Sequence, residues 1–217
     1  MNRWKAFRLR RRLSRPSPAL KSVVHRLHAH LGGVPDGSLA LVEIGSAEPA
    51  AISLAALAYR LASEGKRVVL ADAAEDRPLR ALLRAKGDSG APQTVSLRGQ
   101  QISLVVAAPD PTRMADPSVT EDADVTLVLA TVDSAVGADH LAASVGKAVV
   151  MIRAGEATRS SIEAIATQLR HARIAILSGI LIGTDREDYS SGLPAAVRGT
   201  SAEPGDGLFE VLKASGQ

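Results

Sequence analysis

The chain reads as a three-layer α/β domain, a mostly parallel sheet with helices on both faces, and three observations predict it. Short apolar runs alternate with helical stretches along most of the 217 residues. Such alternation implies crossover connections and parallel strands. The segment Leu39–Pro78 is a strand, a glycine turn, a helix and a second strand in immediate succession. Aromatic residues make up only 2% of a chain that is 46% hydrophobic, so the core is built from Ala, Val, Leu and Ile. That composition suits strands buried on both faces.

The elements follow in order. Residues 1–18 are a basic arm, ended by Pro16 and Pro18, which interrupt helix. Ala19–Leu31 is predicted helical, with Leu20, Val23, Val24, Leu27 and Leu31 on one face. Leu39–Ile44 is a buried strand. Ala50–Glu64 is an alanine-rich helix with Gly65 as its stop. Arg67–Ala71 is a strand, Leu79–Ala85 a short helix and Gly87–Pro92 a polar loop. Ile102–Ala107 and Val125–Ala130 are strands, with a Pro/Asp-rich loop from Pro109 to Pro117 between them. Ala138–Val145 is a short helical stretch, Ala148–Ile152 a strand, Arg159–His171 an amphipathic helix and Ala175–Ile182 the last strand. A short helix is also predicted at Leu208–Lys213. The domain is expected to span 19–192, with a flexible tail over 193–217.

Charge and composition narrow the function classes. With no cysteine there are no disulfides and no thiolate metal sites. Net charge is +3, but residues 1–26 hold nine Lys/Arg and no acid. Taking those nine from 26 leaves 17 basic against 23 acidic residues, a net of −6 for the remainder. The arm (Arg3, Trp4, Lys5, Phe7, Arg8, Arg10, Arg11, Arg12) therefore suits an anionic surface. Trp4 and Phe7 would share a helical face for shallow docking into lipid headgroups. The simpler reading is a disordered basic tail. The arm lacks a stacking pattern and the body is acidic, which disfavours nucleic acid. No apolar run is long enough to span a membrane.

Ligands of open α/β sheets bind outside the carboxyl ends of the strands. The first such loop, Gly45-Ser46-Ala47-Glu48-Pro49-Ala50-Ala51, stands where a phosphate loop would be. A working loop needs glycines, a lysine for the terminal phosphates and a hydroxyl for magnesium. Here one glycine remains, Pro49 has no N–H, Glu48 brings negative charge, and Ala50 and Ala51 take the lysine and hydroxyl places. Asp72 is read first as a cap of the turn after its strand, and second as a remnant catalytic carboxylate. Glu43, in an apolar strand, is either a buried functional acid or an edge residue facing solvent. His25, His28 and His30 share one helix, and surface roles suffice for them. Ser160 and Ser161 are assigned to a helix start.

The order of segments resembles the bacterial tyrosine kinases of capsule and exopolysaccharide synthesis. These belong to the wider group of partitioning and septum-site ATPases with a deviant phosphate loop. The resemblance runs from about Ser17 to Gly192. It is carried by GKRVVLADAAEDRP (Gly65–Pro78), where Asp72, Arg77 and Pro78 match, and by Val149–Gly183, where Arg153, Ala154, Gly155, Thr158 and Arg159 match. It implies a P-loop-NTPase-like fold and a nucleotide site at Gly45, Ser46, Ala50, Ala51, Asp72 and Arg153.

The departures fall on that site. The family's loop lysine and hydroxyl align with Ala50 and Ala51. Its second strand-end aspartate aligns near Ala130, with Asp133 three residues late, and its base-contacting asparagine aligns with Gly183. The self-association pattern falls on Ser22, His25 and His28, and the tyrosine cluster is absent, with Tyr189 alone. The expectation is a non-catalytic regulatory or scaffold protein with no cofactor, cytoplasmic and peripheral to the inner membrane. Its implied partner is a membrane-embedded polysaccharide polymerase, exporter or chain-length regulator. The alternatives are a divergent ATPase or kinase using ATP and magnesium, with Asp72 and Asp133 as the catalytic candidates, and a partitioning-type positioning protein. Homo-oligomerisation stays open.

Overall fold

The computed structural model describes residues 16–32, 37–45, 48–74, 76–85, 93–97, 99–106, 123–132, 138–142 and 145–182. Its helices and strands run α1 (Pro18–Gly32), β1 (Ser38–Ile44), α2 (Glu48–Ser63), β2 (Val68–Asp72), α3 (Pro78–Leu83), β3 (Gln93–Leu97) and β4 (Gln100–Val106). They continue with β5 (Val125–Thr131), α4 (Asp139–Ala142), β6 (Lys147–Arg153), α5 (Arg159–His171) and β7 (Ala175–Ile182). Residues 1–15 of the basic arm, Ser46, Asp133 and everything after Ile182 lie outside the described residues, and Pro18 of the expected arm begins α1.

The strands form one sheet in the order β3-β4-β2-β5-β1-β6-β7. Every pairing is parallel except β3 with β4. The three-layer α/β class with a mostly parallel sheet, read from the sequence, is therefore the architecture observed. Side-chain alternation along β1 separates two cores. Leu39 and Leu41 face α1, α2 and α3. Ala40, Val42 and Ile44 face α4 and α5.

Helix α2 is buried almost all round, which is how an apolar helix with no polar face must sit. Ala50, Ala51, Ala55 and Ala58 are fully buried, and their small side chains let α2 lie close to the sheet, with α1 packed over it. Val23, Val24, Leu27 and Leu31 are the buried stripe of α1, four of the five residues expected there; Leu20 is partly buried against the same core. Helix α5 keeps the predicted bounds. Thr158 caps it by accepting from the Ser161 N–H, and the Ser161 hydroxyl accepts the Thr158 N–H in return. Both serines of that turn thus serve the helix start, as Ser160 also meets the Thr158 hydroxyl at 3.0 Å.

Two readings need correction. Gln93–Leu97 is a strand that the sequence analysis left unassigned. It is polar, and it exists by pairing antiparallel with β4 across the turn at Gly99, whose φ is 89°. Glu43 does not face solvent at an edge: β1 is an interior strand, flanked by β5 and β6, and Glu43 is 1% exposed.

Candidate functional site

The carboxyl ends of β1, β2 and β6 meet the starts of α2 and α3 and the turn before α5. Gly45 ends β1 with φ 109°, a conformation that favours glycine. A β-carbon there would lie 2.8 Å from Glu156 Oε2, so the side chain of Glu156, in the turn after β6, comes up against this exposed glycine. Arg153, at the end of β6, bonds Glu156 Oε1 at 2.9 Å.

Glu43 points to the α2 side of the sheet, in register with Thr131 of β5 and Met151 of β6. Its Oε2 accepts the Ala50 N–H at 2.9 Å. The first turn of a helix leaves its N–H groups without intrahelical acceptors. In α2, Pro49 has no such group and Glu43 takes that of Ala50. Glu43 Oε1 is buried without a hydrogen-bond partner. Burial pushes the Glu43 carboxyl up to about 8; the Ala50 N–H and Arg153 oppose this, while Glu156 and Glu48 add to it.

Asp72 ends β2, fully buried. Its Oδ2 accepts the Arg80 N–H at 2.8 Å, and the backbone amides of Leu79 and Ala74 also favour its charged form. The carboxylate thus satisfies the start of α3, whose own cap residue, Arg77, lies in the left-handed region at φ 45° and supplies no side-chain cap. The capping role expected for Asp72 is what the structure shows. Its Oδ1 has no hydrogen-bond partner. Burial raises the Asp72 carboxyl to about 7 against those three amides and Arg77.

The structure thus brings Gly45, Ala50, Ala51 and Arg153 to one corner, with Asp72 two strands away on the same face. Sequence reasoning named Glu43 but did not join it to that corner. The signal available was an acid at the end of the strand leading into a phosphate-loop-like turn. Ala130 is buried and belongs to the opposite core, under α4 and α5. A carboxylate in its place would face away from Glu43 and Asp72.

The histidines of α1 serve packing. His28 Nε2 meets Glu64 Oε2 at 3.0 Å, and Arg60 meets the other oxygen at 3.1 Å, which holds the Glu64 carboxyl below its ordinary value. His30 Nε2 meets Ser178 Oγ of β7 at 2.9 Å. His25 is exposed.

No family model matches the chain, and no curated protein matches it. Solved structures do. The BceF tyrosine kinase domain superposes with a TM-score of 0.60 at 20% identity, over 75% of this chain and 75% of that one. The kinase domain of the Escherichia coli tyrosine kinase ETK gives 0.63 at 17% identity, over 77% and 76%. The chain shares the fold of bacterial tyrosine kinase domains. At those identities the likeness is one of fold. Among the described residues no helix is long and apolar enough to cross a membrane.

Proposed function

We propose that this chain is a non-catalytic relative of the bacterial tyrosine kinases of polysaccharide synthesis, acting as a scaffold or regulator. One observation carries the reading. The positions aligned with the family's loop lysine and hydroxyl, Ala50 and Ala51, are methyl groups fully buried in the α2 core. Neither can contact a phosphate or a magnesium ion. A charge-assisted contact is worth about 1.5–3 kcal/mol, and more than one is missing. Glu48 and Glu156 bring negative charge to the corner against the one cation Arg153 among the described residues there, and the buried Glu43 carboxyl offers a phosphate no positive charge. The described residues therefore fit magnesium–ATP poorly.

In this reading the protein works by contact. The acid-free basic arm holds it to an anionic inner membrane surface, beside a membrane-embedded polymerase, exporter or chain-length regulator. Two stacked requirements make the arm suitable: clustered cations and the amphipathic pair Trp4 and Phe7. Its test is sedimentation with anionic vesicles, which removal of residues 1–16 should abolish.

The competing reading is a divergent ATPase, favoured by the unpartnered Oδ1 of Asp72 at a strand end. Calorimetry with magnesium–ATP separates the two. Silence at millimolar nucleotide is expected. Affinity better than about 10 μM, roughly −7 kcal/mol, or hydrolysis lost in Asp72→Asn, overturns the non-catalytic reading.

A further inference from the structure

The two edges of the sheet carry charge differently. At the carboxyl edge the cations beside α5 are matched: Arg153 meets Glu156 at 2.9 Å and Arg159 meets Glu163 at 2.7 Å. At the amino edge of β6 and β7 they are not. Helix α5 ends there, where the Arg173 N–H donates to the Arg170 carbonyl and the Ile174 N–H to the Leu169 carbonyl, each at 2.9 Å. Strand β7 then starts beside β6, with Ala175 in register with Lys147 and its N–H on the Gly146 carbonyl at 2.9 Å. Two segments thus bring Lys147, Arg170 and Arg173 to one end of the domain. Arg170 and Arg173 are exposed and Lys147 is half-buried, and none of the three meets a carboxylate among the described residues. The dipole of α5 accounts for a cation in its last turn. It does not select arginine for the position just past the cap. Arg173 stands there at φ 59°, where glycine is the usual occupant and a β-carbon is strained.

We propose that this amino edge is the face the folded domain turns to an anionic bilayer, with Lys147, Arg170 and Arg173 over the lipid headgroups. The inference rests on the reading of the chain as held at an anionic membrane surface, and it adds which face of the domain meets that surface. Because β1, β6 and β7 run parallel, the β1–α2 corner lies at the opposite edge and points away from the lipid. Anionic headgroups attract each nearby Lys or Arg by the equivalent of about fivefold in affinity, so three unmatched cations add measurably to the arm. The arm reaches the same surface, since residues 1–15 can extend over as much as about 50 Å. Nucleic acid fits this face less well. Single strands bind by stacking bases on aromatic side chains, and the one aromatic residue among those described, Tyr59, lies on α2.

The experiment is a flotation titration of the full chain on phosphatidylserine-rich vesicles at low salt, with pure phosphatidylcholine vesicles beside them. The combined Lys147→Gln, Arg170→Gln and Arg173→Gln variant should bind the phosphatidylserine vesicles at least about tenfold more weakly than wild type. Orientation is read separately, on chains that keep all three cations. The protein has no cysteine, so one introduced thiol takes one label. A polarity-sensitive dye on Gly146→Cys, an exposed site with open space around a β-carbon, should brighten on phosphatidylserine vesicles. The same dye on Ser160→Cys, exposed at the other end of α5, should emit as it does in water. Should the triple variant fail to fold, the two labels still decide. The proposal is overturned if the folded triple variant binds vesicles as wild type does, or if the Ser160 label responds as strongly as the Gly146 label. It is equally overturned if the substitutions weaken binding to a DNA duplex and leave vesicle binding unchanged. Binding lost on removal of residues 1–16, with the triple variant unaffected, sinks this face and leaves the arm standing. Binding that survives the truncation undiminished, yet falls with the three substitutions, sinks the arm and leaves this face.

Discussion

Two junctions of this sheet face the same problem and solve it differently. At β1–α2 and at β2–α3, a buried acid ends a parallel strand and turns one oxygen to the first turn of the next helix. Asp72 accepts the Arg80 amide, and the amides of Leu79 and Ala74 and the Arg77 cation also favour its charge. Glu43 collects one amide and faces Glu48 and Glu156, with Arg153 as the opposing charge. Both carboxyls are raised by burial, to about 7 for Asp72 and about 8 for Glu43. Both shifts have burial as their first cause and are of similar size; amides that favour the charged form oppose it at each, and neighbouring carboxylates add to it at Glu43. Asp72 is thus built as a structural cap. Glu43 is held where its charge is poorly served, which marks its place as one shaped for something other than stability.

The largest test of this contrast is the pH dependence of stability. A carboxyl raised in the folded state binds its proton more tightly there than in the unfolded chain. Its contribution is complete below the unfolded value near 4 and is lost as pH rises towards the folded value. For Glu43 the loss runs from about pH 4.5 to about 8. For Asp72 it runs from about 3.8 to about 7. Denaturant melts should therefore show wild type losing ground to Glu43→Gln across that range, by on the order of 3 kcal/mol at pH 9. A pH-independent difference between the two proteins would mean that Glu43 is not buried as described.

Next comes truncation at pH 6, where both acids are largely neutral. Asp72→Ala takes the acceptor from the Arg80 amide and removes the group that the Leu79 and Ala74 amides favour, whereas Glu43→Ala takes the acceptor from the Ala50 amide alone. The expected costs are about 2–3 kcal/mol and about 1 kcal/mol respectively. Reversal of that order, measured by the same melts, would break the comparison. Gly45→Ala should cost about 1–2 kcal/mol, because alanine is strained at φ 109° and its methyl displaces Glu156. Pairing it with Glu156→Ala should return the part due to contact and leave the backbone part.

The sequence made much of this frame legible, for reasons that can be named. Helix α5 and strand β7 are legible to the residue, because Thr158 supplies a cap, the helix carries its apolar stripe, and the last strand is a β-branched and aliphatic run interrupted only by Ser178 and Gly179. Strand β3 was missed because Gln93–Leu97 has one strongly apolar centre, Val95, and owes its form to the β4 hairpin rather than to its own pattern. Ala50 and Ala51 could be read as absences from the alignment alone. The Glu43 bond could not, since it joins residues seven apart across a turn and depends on which face of β1 the acid takes. Once β1 is known to be central, alternation forces Glu43 to the side of Leu41, and the start of α2 is the nearest donor.

The smallest expected effect is also the most local. Arg153 and Glu156 form one ion pair at the mouth, yet they act on Glu43 with opposite signs. Removing the cation, in Arg153→Gln, takes away an attraction and should move the Glu43 titration upward. Removing the anion, in Glu156→Gln, takes away a repulsion and also releases Arg153 from its nearest partner, so both consequences move the titration downward. Carbon-detected titration of the Glu43 carboxyl reads the two shifts directly, each less than about one unit at moderate salt. Shifts of the same sign would mean that the pair influences Glu43 by holding the β6–α5 turn in place, not by charge. In that event Glu156 would be a steric lid over Gly45, and the corner's electrostatics would belong to Glu43 and the α2 terminus alone.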